Sequence, residues 1–173
     1  ALLAATRIMQ DVVAAAHRHP PHGRGTVGMV QVFPNSRNVI PGRIKFSIDL
    51  RNSTDTLVDA MAAEVKAFAD QVAKEHGVQV HIEMVSSYPA QLFQPECVQA
   101  VGRAAAKLGY SHMPAVSGAG HDAVYMAKLA PSGMIFIPCK DGISHNEIED
   151  AKPEHIEAGC NVLLHAMLER AGT

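Results

Sequence analysis

Apolar residues recur at helical spacing through the first stretch of the chain. Leu2, Leu3, Ile8, Met9, Val12 and Val13 follow that period, and the paired prolines and glycines of "PPHGRG" end it. From residue 26 the period shortens to two. "TVGMVQVF" is short and rich in β-branched residues, and "PNSRN" carries turn chemistry. "RIKFSIDLR" puts Ile44, Phe46, Ile48 and Leu50 on one face and Lys45, Ser47, Asp49 and Arg51 on the other. This pattern predicts a hairpin with one wet face. "NSTDTLVDAMAAEVKAFADQVAKEHG" returns to helical spacing, with several N-cap candidates in front and Lys74, His76 and Gly77 at its close. "VQVHIEMV" then alternates as a strand. The predicted order up to about residue 88 is α-β-β-α-β, a split β-α-β unit of ferredoxin-like type without its first strand.

Turn signals cluster in "SSYPAQLFQP", which places a boundary near residue 90 and predicts two domains, 1–90 and 91–173. In the second, "PECVQAVGRAAAKLGY" reads as a helix with Pro95 in its first turn. "AVYMAKLA" reads as a short helix, "SGMIFIPC" as a buried strand and "KPEHIEAGCNVLLHAMLER" as a closing amphipathic helix. Alternating helices and apolar strands predict a parallel α/β layer, too small to be a doubly wound sheet by itself. The fold class is therefore α/β: an α+β first unit and an incomplete α/β second one. Met113, Met126 and Met134 read as core filler.

Composition narrows the function. A net charge of −2 without long basic runs argues against nucleic-acid or anionic-membrane partners. No apolar run reaches the roughly 20 residues of a membrane-spanning helix, and no basic segment precedes an apolar leader. Cys97, Cys139 and Cys160 are widely and irregularly spaced, which suggests neither a disulfide framework nor a Cys-x-x-Cys zinc site and fits a reducing cytoplasm. The chain also opens directly in a helix-forming run, as a chain cut within a larger protein would.

Candidate chemistry lies in two loops and one strand. "SGAGHDA" and "KDGISHNE" each follow an apolar strand-like run, the position at which ligands collect in open α/β sheets. Gly118, Ala119 and Gly120 leave backbone N–H groups accessible to an anion or carbonyl oxygen, with His121 and Asp122 at the next helix start. His145 is a candidate metal ligand, while Ser144 and Glu147 also form the Ser-x-x-Glu pattern of a helix cap and Asp122 is a second cap candidate. The spacing leaves both readings open. No His-x-x-x-His or Glu-x-x-His pair supplies the remaining ligands of a zinc site. On the hairpin, Arg51 has the fork that grips a carboxylate and Asn38 an amide that suits a carbonyl, or both belong to a solvated face with Arg51 paired to Asp49. His17, His19 and His22 suit the C-terminal end of the first helix dipole, with binding of a stray metal as the alternative.

Taken together, "NVIPGRIKFSIDLR", "SGAGHDA" and "MIFIPCKDGISHNEIED" resemble the hydantoinase/carbamoylase branch of metal-dependent amidohydrolases, which includes N-carbamoyl-L-amino-acid hydrolases, bacterial-type β-ureidopropionases and allantoate amidohydrolases. The resemblance covers essentially the whole chain. It implies that residues 1–90 form a lid or dimerisation domain lacking its first strand, and residues 91–173 the C-terminal portion of a catalytic domain. It further implies His145 as a metal ligand, Arg51 and Asn38 as substrate-binding residues of the lid, and Gly118, Ala119 and His121 as residues lining the substrate cleft. The metal would be zinc or manganese, with cobalt or nickel possible, and would activate a water for hydrolysis of a ureido or amide carboxylate substrate. The family's other ligands and its general base fall outside this chain, so no catalytic base is assigned here. A homodimer through the lid and a cytoplasmic enzyme complete the expectation. The alternatives are an aminoacylase or peptidase relative, or, for the isolated chain, a dimerisation or small-molecule binding module.

Overall fold

The structure, a computed structural model, describes residues 1–172 and divides into two compact units, Ala1–Ala90 and the chain from Gln91 onward. Helix and strand are mixed, as the α/β class requires. Both strand pairings among the described residues are antiparallel, however, so the parallel layer expected in the second unit is not present there.

In the first unit α1 (Leu2–Arg18) and α2 (Asp55–His76) pack side by side. Thr54 is the N-cap of α2, its hydroxyl accepting from the Leu57 N–H at 3.4 Å, and Gly77 ends the helix at φ 61, where a side chain would be strained. Their facing sides bury Ala4, Ile8, Ala69 and Val72 in one cluster and Val12, Ala15 and Val65 in another. Phe46 closes the first cluster and Ile48 and Leu50 the second, so the alternation read in "RIKFSIDLR" is the packing face of the hairpin.

That hairpin runs through β1 (Arg24–Thr26), β2 (Val30–Phe33), β3 (Arg43–Phe46) and β4 (Asp49–Arg51). Thr26 lies opposite Asp49 and Val30 opposite Phe46, which leaves Val27, Gly28 and Met29 facing only Ser47 and Ile48. The extra residue is a β-bulge, which divides the ladder and increases its twist. Met29 N–H donates to the Ser47 hydroxyl at 3.1 Å and Ser47 N–H to the Met29 carbonyl at 3.0 Å, so the bulge is closed on both sides. At the other end β1 crosses α1 at backbone distance. A Cβ on Gly23 would lie 2.6 Å from the His19 carbonyl oxygen, and one on Gly25 would overlap the Val12 carbonyl. The glycines of "PPHGRG" thus do more than end a helix: they admit the strand.

The strand expected over residues 78–85 is not formed. Val78 and Val80 are half-buried against the first cluster and Gln79 and His81 are exposed, so the alternation does mark an inward face. The segment bonds to no neighbouring strand among the described residues, and a strand is defined by its ladder.

In the second unit α3 (Pro95–Lys107) and α5 (Pro153–Ala171) pack through Ala100, Ala104, Ala105, Val162 and Ala166, small side chains that let two helices approach closely. Helix α4 is short, Ala123–Met126, and Lys140–Gly142 form one 3-10 turn. The buried strand expected in "SGMIFIPC" is an unladdered extended segment lying along the helix pair. Gly133 abuts Cys97, Ile135 enters the alanine cluster, and Ile137 sits where a Cβ on Gly159 would fall. Only one side of it is covered, since Phe136 stays exposed. Met113 and Met126 are also exposed, so they do not fill a core; Met134 is half-buried. The outward side of α5 carries exposed Leu163, Leu164, Met167 and Leu168. Among the described residues no helix is long and apolar enough to cross a membrane, and the three cysteines are free.

Two predictions follow from the α1 contacts. Gly25→Ala forces a methyl into the α1 backbone and should cost about 1–3 kcal/mol by thermal or urea unfolding, whereas Gly42→Ala, with nothing within 4 Å of its Cβ position, should change little. Equal effects of the two would show that the close approach is absent in solution. The second concerns charge. Arg18 donates to Asp11 through Nη1 and Nη2 at 3.1 Å each and through Nε to Glu64 at 2.9 Å, and His19 Nε2 lies 2.7 Å from the other Glu64 oxygen. The bond to His19, then that to Arg18, holds the Glu64 carboxyl below its ordinary value. A carboxylate with a lowered folded value adds stability that is present above its unfolded pKa and is lost as pH falls through the folded one. Acid unfolding of Glu64→Gln should therefore be less steep below the ordinary glutamate range. An identical acid limb in that variant would remove the ion pairs from the stability of this unit.

Candidate functional site

The hairpin presents the first group of candidate residues. Alternation puts Asp49 and Arg51 on its wet face two positions apart, so their side chains meet. Arg51 Nε donates to Asp49 Oδ1 at 2.7 Å and Nη2 to Oδ2 at 2.9 Å, a bidentate pair with both side chains 49% exposed. These bonds hold the Asp49 carboxyl below its ordinary value and raise the Arg51 guanidinium. One edge of the Arg51 fork is therefore already engaged by a carboxylate of its own strand. An incoming carboxylate must share the guanidinium with Asp49 or replace it.

Asn38 lies in the loop between β2 and β3, where its side-chain oxygen accepts from the Ser36 hydroxyl at 3.0 Å. The loop is closed at its base by Gly42 N–H donating to the Phe33 carbonyl at 3.1 Å, and Asn35 within it adopts φ 58. Asn38 and Arg51 thus sit at opposite ends of one hairpin. Arg43 pairs with Phe33 beside the loop and Arg51 with Arg24 at the far end. Eight residues at about 3.3 Å each separate Arg43 from Arg51 by roughly 26 Å along the strand.

The second unit presents the remaining candidates on two loops. In residues 117–123 the Ser117 hydroxyl accepts from the Ala119 N–H at 3.3 Å and donates to the Ala119 carbonyl at 3.1 Å, folding the turn around Gly118. His121 Nδ1 then accepts from the Ala123 N–H at 3.0 Å and so closes the start of α4. Asp122, the cap candidate of the sequence, occupies the N-cap position but makes no such bond. An imidazole that accepts at Nδ1 carries its proton at Nε2 when neutral, which makes exposed His121 a donor toward anything seated beside it.

The loop from residue 140 to 150 is closed by Lys140 N–H donating to the Asp150 carbonyl at 2.7 Å. Ser144 and Glu147 cap no helix, because none starts there. Asn146 instead folds an Asx turn, its side-chain oxygen accepting from the Ile148 N–H at 3.1 Å and its carbonyl from the Glu149 N–H at 3.0 Å. His145 adopts φ 58, the left-handed region that costs a residue with a β-carbon about 1–2 kcal/mol. Its N–H donates to the Glu149 carboxylate at 2.9 Å. Glu149, which the sequence reading passed over, is therefore the side chain that holds this backbone. No spacing rule would have found it.

The donor set tests a metal directly. His145 offers one exposed imidazole, and no group of three or more His, Cys, Asp or Glu able to hold a metal ion occurs among the described residues. The residues present do not fit a metal by themselves.

Comparison with known proteins bears on the family. The sequence profile of peptidase family M20/M25/M40 matches residues 3–169. The chain is 46% identical over 169 residues to an N-carbamoyl-L-amino-acid amidohydrolase of Rhizobium meliloti, covering 98% of this chain and 41% of that protein. It is 28% identical to an allantoate amidohydrolase of Bacillus subtilis, covering 98% of this chain and 41% of the relative. The crystal structure of an amidase of the hydantoinase/carbamoylase family from Burkholderia multivorans superposes with a TM-score of 0.95 at 52% identity, over 99% of this chain and 42% of that one. The chain therefore spans about two-fifths of the length of the relatives it matches.

The Asp49–Arg51 pair is open to measurement without any substrate. By carboxyl-carbon NMR, Asp49 should titrate below its ordinary value of 3.8, and Arg51→Ala should bring it back up. An unchanged Asp49 titration in that variant would mean that the pair does not persist in solution.

Proposed function

Since the chain belongs to peptidase family M20/M25/M40, we propose that it is the C-terminal part of a divalent-metal-dependent amidohydrolase that cleaves the C–N bond of N-carbamoyl amino acids or related ureido acids. The observation that carries this reading is likeness over nearly the whole chain to an N-carbamoyl-L-amino-acid amidohydrolase, with an allantoate amidohydrolase among the other relatives. Residues 1–90 form the lid and dimerisation domain, and residues 91–173 a portion of the catalytic α/β metallohydrolase domain.

Within the complete enzyme His145 is one metal ligand, held by Glu149, and the metal is zinc or manganese. The other ligands and the base that moves the proton lie outside these residues. Arg51 binds the substrate carboxylate, and its bidentate pairing with Asp49 fixes the plane of its guanidinium before substrate arrives. Gly118 and Ala119 contribute backbone groups to the cleft wall, and His121 contributes its Nε2–H as a donor toward a carbonyl or carboxylate oxygen.

Asn38 completes the substrate contacts, and hairpin length supports the homodimer. A ureido acid is far shorter than the roughly 26 Å of strand between the loop base and Arg51. Asn38 and Arg51 of one copy therefore serve different sites, and a second copy joined through the lid brings an Asn38 to the Arg51 of the first. The enzyme works in the cytoplasm, in keeping with its free thiols.

The test is made in the complete enzyme, supplied with zinc or manganese and assayed for ureido-acid hydrolysis. Arg51→Ala should raise KM for carboxylate substrates about tenfold or more, as loss of a charge-assisted bidentate contact implies, with a smaller fall in kcat from misplacement. An unchanged KM would remove Arg51 from substrate binding, and absence of metal-dependent turnover in the unaltered enzyme would remove the activity itself.

A further inference from the structure

The strand position opposite Arg51 holds a second arginine. Arg24 is its direct partner in the β1–β4 register, and Thr26 is the partner of Asp49. Gly25 and Leu50, the pair between them, turn inward to Val12 and its cluster, so Arg24, Thr26, Asp49 and Arg51 share the wet face. Directly opposed residues bring their β-carbons to about 4.5–5.5 Å, and like charges so placed destabilise the pairing. The two side chains part at once. Arg51 turns along β4 to Asp49, toward the Thr26 end of the ladder. Arg24 turns the other way, to the turn before β1, where its Nη1 donates to the Pro21 carbonyl at 3.2 Å and to the Gly23 carbonyl at 2.8 Å. Both bonds use one nitrogen. Nε and Nη2, an edge that grips a carboxylate through two parallel bonds, have no acceptor among the described residues, and no carboxylate there pairs with the Arg24 charge.

We propose that Arg24 is a specificity-determining residue that binds a second carboxylate, so that the preferred ureido acids are those of acidic amino acids. This rests on the reading of Arg51 as the binder of the first carboxylate. The opposite lean of the two side chains decides between one shared anion and two. Asp49 lies two residues of strand, about 7 Å, from the Arg24–Arg51 pair, and Pro21 and Gly23 lie on its other side. Guanidiniums drawn toward those two ends present their forks to different anions. The two carbonyl bonds fix the plane of the Arg24 guanidinium and leave its charge to be met from outside. A dicarboxylate seated across the pair also relieves the repulsion between the two arginines.

The test is an NMR titration of the full 173-residue chain at low salt, following the Arg24 and Arg51 Nε–H signals. Glutarate serves as the dicarboxylate and propionate as the monocarboxylate. Neither metal nor turnover enters, so the result is separate from the test of activity above. Glutarate should shift both signals and bind about tenfold or more tighter than propionate, as one added charge-assisted contact implies. Arg24→Gln keeps a donor for the Pro21 and Gly23 carbonyls but loses the charge, and should bring glutarate down to the affinity of propionate. Lys45→Gln removes a charge from the same wet face and should keep the preference for glutarate. Equal affinities in the unaltered chain would overturn the inference, as would a preference that survives Arg24→Gln or falls equally with Lys45→Gln. If Arg24→Gln weakens both ligands alike, the arginines share one carboxylate and the second site is absent. A titration in which neither ligand moves Arg51 overturns the inference together with the Arg51 role, and it is the one outcome that reaches that role.

Discussion

The contact of β1 with α1 sets the geometry of the first unit. Gly23 and Gly25 let the strand lie against the Ala16, His19 and Val12 carbonyls, closer than any residue with a β-carbon would allow. From that fixed start the hairpin has one way to lie, with Ile48 and Leu50 on the Val12, Ala15 and Val65 cluster and Phe46 on the next cluster along. The period of two does the rest, because residues packed inward at 48 and 50 oblige Asp49 and Arg51 to stand outward. The candidate carboxylate-binding arginine is thus placed by two glycines that never touch it.

The bulge belongs to the same logic. A shift of one residue in register would reverse the faces, yet Val27-Gly28-Met29 opposite Ser47-Ile48 absorbs an extra residue on the β1–β2 side alone. The β3–β4 side therefore keeps its alternation from Ile44 to Leu50 without interruption. Lys45, Ser47, Asp49 and Arg51 share one surface because the irregularity was confined to their partner strand.

Helices were legible in the sequence because their signal is local. Helical period, Gly77 as a left-handed end and Pro95 in the first turn of α3 are all decided within a few residues. The alternation of Val78 and Val80 was equally local and reported the inward face correctly, whereas the apolar "SGMIFIPC" gave no sign that Phe136 would be exposed. Neither could report a ladder, which needs a second segment that these runs lack among the described residues. The Ser144-x-x-Glu147 pattern misled for a related reason. A capping box needs helical backbone after it, and the Asn146 side chain offered the Ile148 N–H a nearer partner. His121 in place of Asp122 at the start of α4 was beyond pattern reading, since both residues stand at the right distance and only the fold selects one.

The candidate site divides along the same line between local and distant order. His145 is held by bonds within its own loop: Glu149 on its N–H, the Asn146 turn behind it, and the Lys140 to Asp150 closure at the base. Those bonds offset the cost of a left-handed histidine from within the loop itself. Arg51 is likewise set by Asp49 on its own strand. What the described residues do not supply is ligand number, because three or four donors must converge from separate elements and no group of three does so here. Orientation of the His145 loop is therefore a property of this chain, whereas a three-donor set is not found among its described residues.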